Sequence, residues 1–307
     1  MSRIPAFAVA MVSAALLAAC SGGGDDIGTP GSDGDSTRTN VNIDDPTLVI
    51  AENDEVSPGD ELTLVWGDEF NEAALDPATW FFETGDGSQY GIPGWGNNEL
   101  QYYLPDNARL EGGLLKIEAR EESIGSRPYT SARINTRDRF AFRYGRIEAR
   151  MRLPGGQGLW PAFWLLPQDN AYGRWAASGE IDIVEGINLG GAGGNNIHGT
   201  IHYGGSAPGN QSSGEEYLVP TSAQDDFHTY AVEWDRAEIR WYVDDVMYAT
   251  QNSWSSSGGA FPAPFDRPFY ILFNVAVGGD WPGAPDAGTE FPVTMEVDWV
   301  RVYSGQP

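Results

Sequence analysis

Glu180, Asp182 and Glu185 lie close together in Ser178-Gly179-Glu180-Ile181-Asp182-Ile183-Val184-Glu185-Gly186, with no Lys or Arg among them. Acid alternating with isoleucine is a strand pattern: Glu180 and Asp182 take one face, Ile181 and Ile183 the other. Strict alternation would then put Val184, not Glu185, beside the first two acids. A single β-bulge near Ile183-Val184 absorbs one residue and returns Glu185 to the acidic face. Without it, Glu185 would point between sheets unpaired, which is strongly unfavourable, so either a bulge exists or the strand ends before Glu185. Cleaving an acetal between two sugars calls for two carboxyl groups, one to attack the anomeric carbon and one to protonate the departing oxygen. A separation of about 5–5.5 Å gives retention through a covalent intermediate. Glu180 and Glu185 could meet that spacing across a bulge. Asp182 between them would share a proton, orient Glu180 and raise the pKa of Glu185 by like-charge repulsion. The same run also fits a plain acidic strand face in solvent.

The elements that must position these acids are short. Gly (39) and Pro (20) together make about 19% of the 307 residues, against about 12% in average usage, which leaves little room for bundles, coiled coils or helical repeats. Leu114–Arg120, Tyr144–Leu153, Thr229–Val243 and Met295–Tyr303 read as alternating strands, with Ile147, Ala149, Met151 and Leu153 on one face. Asp244-Asp245 is the turn of an expected hairpin between Arg240–Val243 and Val246–Thr250. Strands at this spacing predict an all-β domain of two packed antiparallel sheets, a β-sandwich.

Charge narrows the partner. The chain carries 18 Lys and Arg against 44 Asp and Glu, a net charge of −26. Such a chain repels phosphate backbones, so no nucleic-acid partner is expected. Eleven Trp, thirteen Tyr and thirteen Phe are more aromatics than the core requires, and point to a neutral ligand with apolar faces, such as a sugar. Residues 1–20 read as an export signal: one charge at Arg3, a short apolar run, then Leu17-Ala18-Ala19-Cys20. Residues 21–57, with nine acids and one Arg, read as a solvated tether. Residues 58–307 are the expected folded domain, itself at −19. A single Cys excludes an intramolecular disulfide and a thiolate-clustered metal site.

Leu17-Ala18-Ala19-Cys20 resembles the lipobox of bacterial lipoproteins, which implies lipidation at Cys20 and export to the cell envelope, at the outer membrane or cell surface. Glu180-Ile181-Asp182-Ile183-Val184-Glu185 resembles the active-site signature of glycoside hydrolase family 16 in its bulged form. The similarity continues in Trp66–Phe70, Gly96–Tyr103, Arg143–Arg150, Gly158–Trp164 and His198–His202. Phe273–Gly283 is similar to a late segment of the family's laminarinase-like branch, with Asp280 where that branch commonly has Asn. The resemblance covers about residues 60–304. It implies a β-jelly-roll with a concave cleft and a retaining endo-1,3-β-glucanase acting on neutral β-glucan, with Glu180 the nucleophile, Asp182 the helper and Glu185 the acid/base. Hydrolysis of a galactan such as agarose or carrageenan, or glucan binding without turnover, are the alternatives on the same fold.

Period two in Trp160-Pro161-Ala162-Phe163-Trp164 gives two aromatic platforms, Trp160 and Trp164, separated by small Ala162, a shape suited to pyranose faces, though core tryptophans would read the same way. Trp175 and Trp281 are further wall candidates, and Asn97 and Glu99 could bond sugar hydroxyls. Arg146 reads as an ion-paired cleft or sheet residue that could reach sugar. His198 and His202, about 13 Å apart on a strand, cannot share one ion; His202 matches the family's second His and is expected on the leaving-group side. No cofactor is expected for catalysis. The resemblance implies a structural Ca²⁺ held by Asp298 with backbone oxygens near Glu69 and Gly113, a pattern that also fits a surface aspartate. The chain is expected to be a monomer that meets a membrane only through its N-terminal lipid.

Overall fold

The computed structural model of the chain describes residues 48–306. Cys20, the leader and most of the tether expected to end at residue 57 lie outside the described residues. Folded backbone begins earlier than Pro58. Val49–Glu52 pairs in parallel with Phe140–Arg143, and buried Val56 accepts a hydrogen bond on its carbonyl from Arg240. A four-residue strand inside an acidic segment is too short to show a period, which is why the sequence hides it.

The described residues form the expected two-sheet sandwich. One nine-stranded sheet runs, in spatial order, through Val49–Glu52, Phe140–Arg143, Phe269–Val277, Leu159–Pro167, Glu180–Gly186, Asn196–Tyr203 and Gln211–Leu218, with Phe81–Glu83 and Arg133–Asn135 branching off. The eight-stranded second sheet orders Val246–Gln251, Ile239–Val243, His228–Trp234, Gly145–Arg152, Val293–Gln306, Leu115–Ala119 and Ala108–Leu110, with Glu61–Asp68 beside Val293–Gln306. Both are antiparallel apart from the Val49–Glu52 pairing. A separate two-stranded parallel ladder joins Gln101–Tyr103 to Tyr129–Ser131. Asp244 and Asp245 both adopt positive φ, 49° and 63°, the conformation of a two-residue hairpin turn whose twist matches its strands.

Alternation sorts the faces as read. Ile147, Ala149 and Met151 of the second sheet meet Ile181, Ile183 and Val184 of the first in one core, with Phe163 and Phe273 stacked at 4.6 Å. Trp241 of the second sheet crosses the core and donates its indole N–H to the carbonyl oxygen of Asp182 at 2.8 Å. Gly199 is required beside it. A Cβ there would sit 2.5 Å from Trp241 Cδ1 and 2.4 Å from the Tyr248 hydroxyl. The strand that carries the acids is thus supported from behind by an aromatic of the opposite sheet.

Candidate active site

The bulge is present. Against Leu159–Pro167, Val184 pairs with Phe163 and Asp182 with Trp164, leaving Ile183 as the extra residue. Against Asn196–Tyr203 the register likewise slips between Asp182 and Glu185, which pair with Thr200 and His198. Ile183 and Val184 both enter the core, so Glu185 returns to the face of Glu180 and Asp182. Ala162, the small residue between the two tryptophans, lies opposite Glu185 and leaves room for it.

Each acid has its own surroundings. Glu180 accepts from the Trp175 indole N–H at 3.1 Å and faces His202 Nε2 at 3.7 Å. Glu185 accepts from the Trp160 indole N–H at 2.9 Å. Asp182 is 3% exposed; its Oδ2 lacks a hydrogen-bond partner and lies 3.4 Å from His202 Nε2. Burial pushes all three carboxyls up to about 8. The charge of Asp182 adds to the rise at Glu180 and Glu185, while His202 opposes it. Three such groups cannot all ionise together. Glu180, beside both the Trp175 N–H and His202, is the best placed to carry the negative charge, and Glu185 to keep a proton.

Trp175 and Trp281 form opposing walls at the two ends of the acid strand, 41% and 40% exposed. Trp175 holds a positive φ of 49°, a strained backbone for a bulky residue, and its ring lies 5.6 Å from that of His202. Trp281 meets Trp160 and His198 edge-on, at 5.4 and 4.8 Å. The two histidines therefore serve different acids. His202 pairs in register with Glu180, and His198 with Glu185. His202, expected on the leaving-group side, lies beside Glu180 and Asp182, and His198 opposite Glu185.

Other expected contacts change role. Trp164 donates its indole N–H to Asn274 at 2.7 Å, and the guanidinium of Arg133 stacks on its ring at 4.7 Å and on Trp95 at 4.6 Å. One face of this platform is therefore occupied by protein. Glu99 is buried and its two oxygens accept from Asn97, Gln101 and Tyr103, at 3.1, 2.6 and 3.3 Å. It cannot reach sugar hydroxyls; it orients exposed Asn97. Asp280 accepts twice from the Asn98 amide, at 3.0 and 3.1 Å, and its backbone N–H donates to Asn97 O at 2.8 Å, tying two rim loops together. Arg146 does not face the site at all. It lies on the second sheet, ion-paired with Glu148, Glu233 and Asp245, because its strand pairs with that sheet and not with the acid strand.

Sequence reasoning missed Arg133, Trp95, Tyr103 and Asn274, which form the network beside the tryptophans. Asn274 left a signal, since it is the one polar side chain without a ring in Phe269–Val277. Asp298 is the extra residue of a second bulge, at the gap where the partner of Val293–Gln306 changes from Leu115–Ala119 to Glu61–Asp68. Glu69 and Gly113 are next to the ends of those two strands, so the chain places both expected backbone donors along that gap. The Asp298 carboxylate accepts from Arg150 at 2.6 Å, and the Glu69 side chain is bound to Arg301.

Residues 87–301 match the family described as glycosyl hydrolases family 16. The chain belongs to that family and is a glycoside hydrolase. It is 42% identical over 265 residues to the glucan endo-1,3-beta-glucosidase A1 of Niallia circulans, a match over 80% of this chain and 38% of that protein. It is 45% identical over 253 residues to the beta-glucanase of Rhodothermus marinus, covering 78% and 84% of the two. The laminarinase catalytic domain of Thermotoga maritima superposes with a TM-score of 0.73 at 41% identity, over 80% of this chain and 100% of that one. The chain thus spans well under half the length of the first of these relatives and most of the others.

The raised carboxyls make a prediction about stability. A folded state that holds protons its unfolded chain would release loses stability as pH rises from the unfolded pKa to the folded one. For Asp182 that window runs from 3.8 to about 8. Asp182→Asn should melt close to the wild type at pH 4 and several degrees above it at pH 9, read by thermal unfolding across the series.

Proposed function

We propose that this chain hydrolyses internal 1,3-β-glucosidic linkages of neutral β-glucans, laminarin-like or mixed-linkage, with retention of anomeric configuration. The observation that carries the reading is the bulge at Ile183, which gathers Glu180, Asp182 and Glu185 on one face between two tryptophan walls. The glucanase relatives support the choice of glucan. In the first step, a Glu180 oxygen bonds to the anomeric carbon as the glycosidic bond breaks, and Glu185 gives its proton to the leaving oxygen. Forming the ester removes the charge of Glu180 and leaves Glu185 ionised for the second step. Glu185 then takes a proton from water as the water oxygen attacks the same carbon and Glu180 departs as carboxylate. Asp182 supplies the neighbouring charge that keeps Glu185 protonated before the first step. Among the described residues no Lys or Arg pairs with these three acids, which favours an uncharged polymer.

Cys20 completes the reading as the lipidated first residue of the mature protein, with the acidic segment that follows it as a tether from the outer membrane or cell surface. Asp298, with backbone oxygens near Glu69 and Gly113, is the place for a structural Ca²⁺. Its ligation would exchange the Arg150 contact for the ion and stabilise the junction of three strands.

Glu180→Gln and Glu185→Gln are each expected to lower the rate on laminarin by at least about 10²-fold while oligosaccharide binding persists. Reducing-end release from laminarin, lichenan, agarose and carrageenan is the measurement. Activity confined to the galactans would replace the substrate, and unchanged rates in both variants would remove the acid assignment. Cys20→Ala should shift the protein from the detergent-extracted membrane fraction to the soluble one and abolish incorporation of labelled palmitate. Calcium should raise the melting temperature over EDTA in the wild type, and Asp298→Asn should erase that difference.

A further inference from the structure

Glu180, Asp182 and His202 each offer one ligand atom, and those atoms all lie within 4.8 Å of one another. His202 Nε2 is 3.4 Å from Asp182 Oδ2 and 3.7 Å from Glu180 Oε1. A tetrahedral ion with bonds of about 2.0–2.1 Å holds its donors about 3.3 Å apart, close to the two distances from His202 Nε2, and the third pair is within 4.8 Å. Asp182 Oδ2 is buried and has no hydrogen-bond partner, an expensive condition for a carboxylate oxygen. It points at the imidazole across the space an ion would fill. On the other side, Trp175 occupies Glu180 Oε2, which leaves Oε1 turned toward His202. His202 Nδ1 likewise has no hydrogen-bond partner.

We propose that Glu180, Asp182 and His202 form a binding site for a divalent transition ion of the Zn²⁺ class, and that its occupation switches the hydrolase off. One imidazole and two carboxylates suit Zn²⁺, Co²⁺ or Cu²⁺, whereas Ca²⁺ and Mg²⁺ demand more oxygen donors than this face supplies. The binding stands on the geometry alone. The inhibition rests on the role proposed for Glu180, since an ion on Oε1 withdraws the oxygen that would attack the sugar. Substrate and ion therefore exclude one another. The third strand supplies the selectivity: His202 reaches the acids only because Asn196–Tyr203 pairs in the register that sets it opposite Glu180.

The test is titration calorimetry of the full chain with ZnCl₂ in the presence of excess Ca²⁺, together with the visible spectrum of the Co²⁺ form. One Zn²⁺ equivalent that Ca²⁺ does not displace, and a tetrahedral Co²⁺ absorption, are expected. Both should weaken at least tenfold in His202→Gln and in Asp182→Asn, with each variant's fold checked by circular dichroism. Zn²⁺ should inhibit laminarin hydrolysis, EDTA should reverse it, and laminarin oligosaccharides should raise the apparent dissociation constant of the ion. Undiminished binding in both variants, or no Ca²⁺-resistant binding at millimolar Zn²⁺, overturns the site. Binding that leaves hydrolysis unaffected overturns the switch. A protein that binds Zn²⁺ as expected but cleaves no glucan leaves the site standing and removes the proposed function instead.

Discussion

The constraint on which the rest of the structure depends is a mismatch of periods. A strand changes face at every residue, but the chemistry needs three acids on one face with four residues between the first and the last. One surplus residue, Ile183, resolves it, and does so on both flanks of the strand at once. The surplus is accommodated in the core, where Ile183 and Val184 lie side by side. Opening the ladder there is unfavourable, and the compensation comes from apolar packing and from the Trp241 hydrogen bond to the Asp182 carbonyl. The site is therefore built from the inside outward.

Placing like charges together in a buried setting is a second cost, and the surroundings offset it selectively. Two indole N–H groups, from Trp175 and Trp160, each serve one glutamate, while the aspartate between them receives none. Neutral donors soften the repulsion without bringing in a permanent positive charge that would fix every acid in its ionised form. That asymmetry separates the duties of otherwise similar side chains. Trp175 thus has two functions, a flat surface toward the ligand and a donor toward an acid.

Much of this was legible in the sequence because it depends on period two. The sandwich, the hairpin at Asp244-Asp245, the inward row Ile147, Ala149 and Met151, and the bulge itself all follow from alternation and its single interruption. What was not legible depends on register between strands distant in the chain. No local pattern says that Arg146 belongs to the far sheet or that His202 lies across from Glu180. Arg133 stacks between Trp95 and Trp164, residues far from it in the chain in both directions. Glu99 shows the same limit. Its loop suggested a polar group for sugar, and only the fold reveals that three protein donors have already claimed it. The segment Val49–Glu52 was too short, and too surrounded by acids, to declare itself.

Asn98 and Asp280, joined by two hydrogen bonds between loops 182 residues apart, have a consequence for how such an enzyme can diversify. The two loops are tied into one lip, since Asp280 is also fastened to the Asn97 backbone. A change in either loop will be felt by Trp281 next door, yet neither loop takes part in the ladder that aligns the acids. Preference among polymers can thus drift through the lip, one loop dragging the other, while the bond-breaking apparatus is inherited intact.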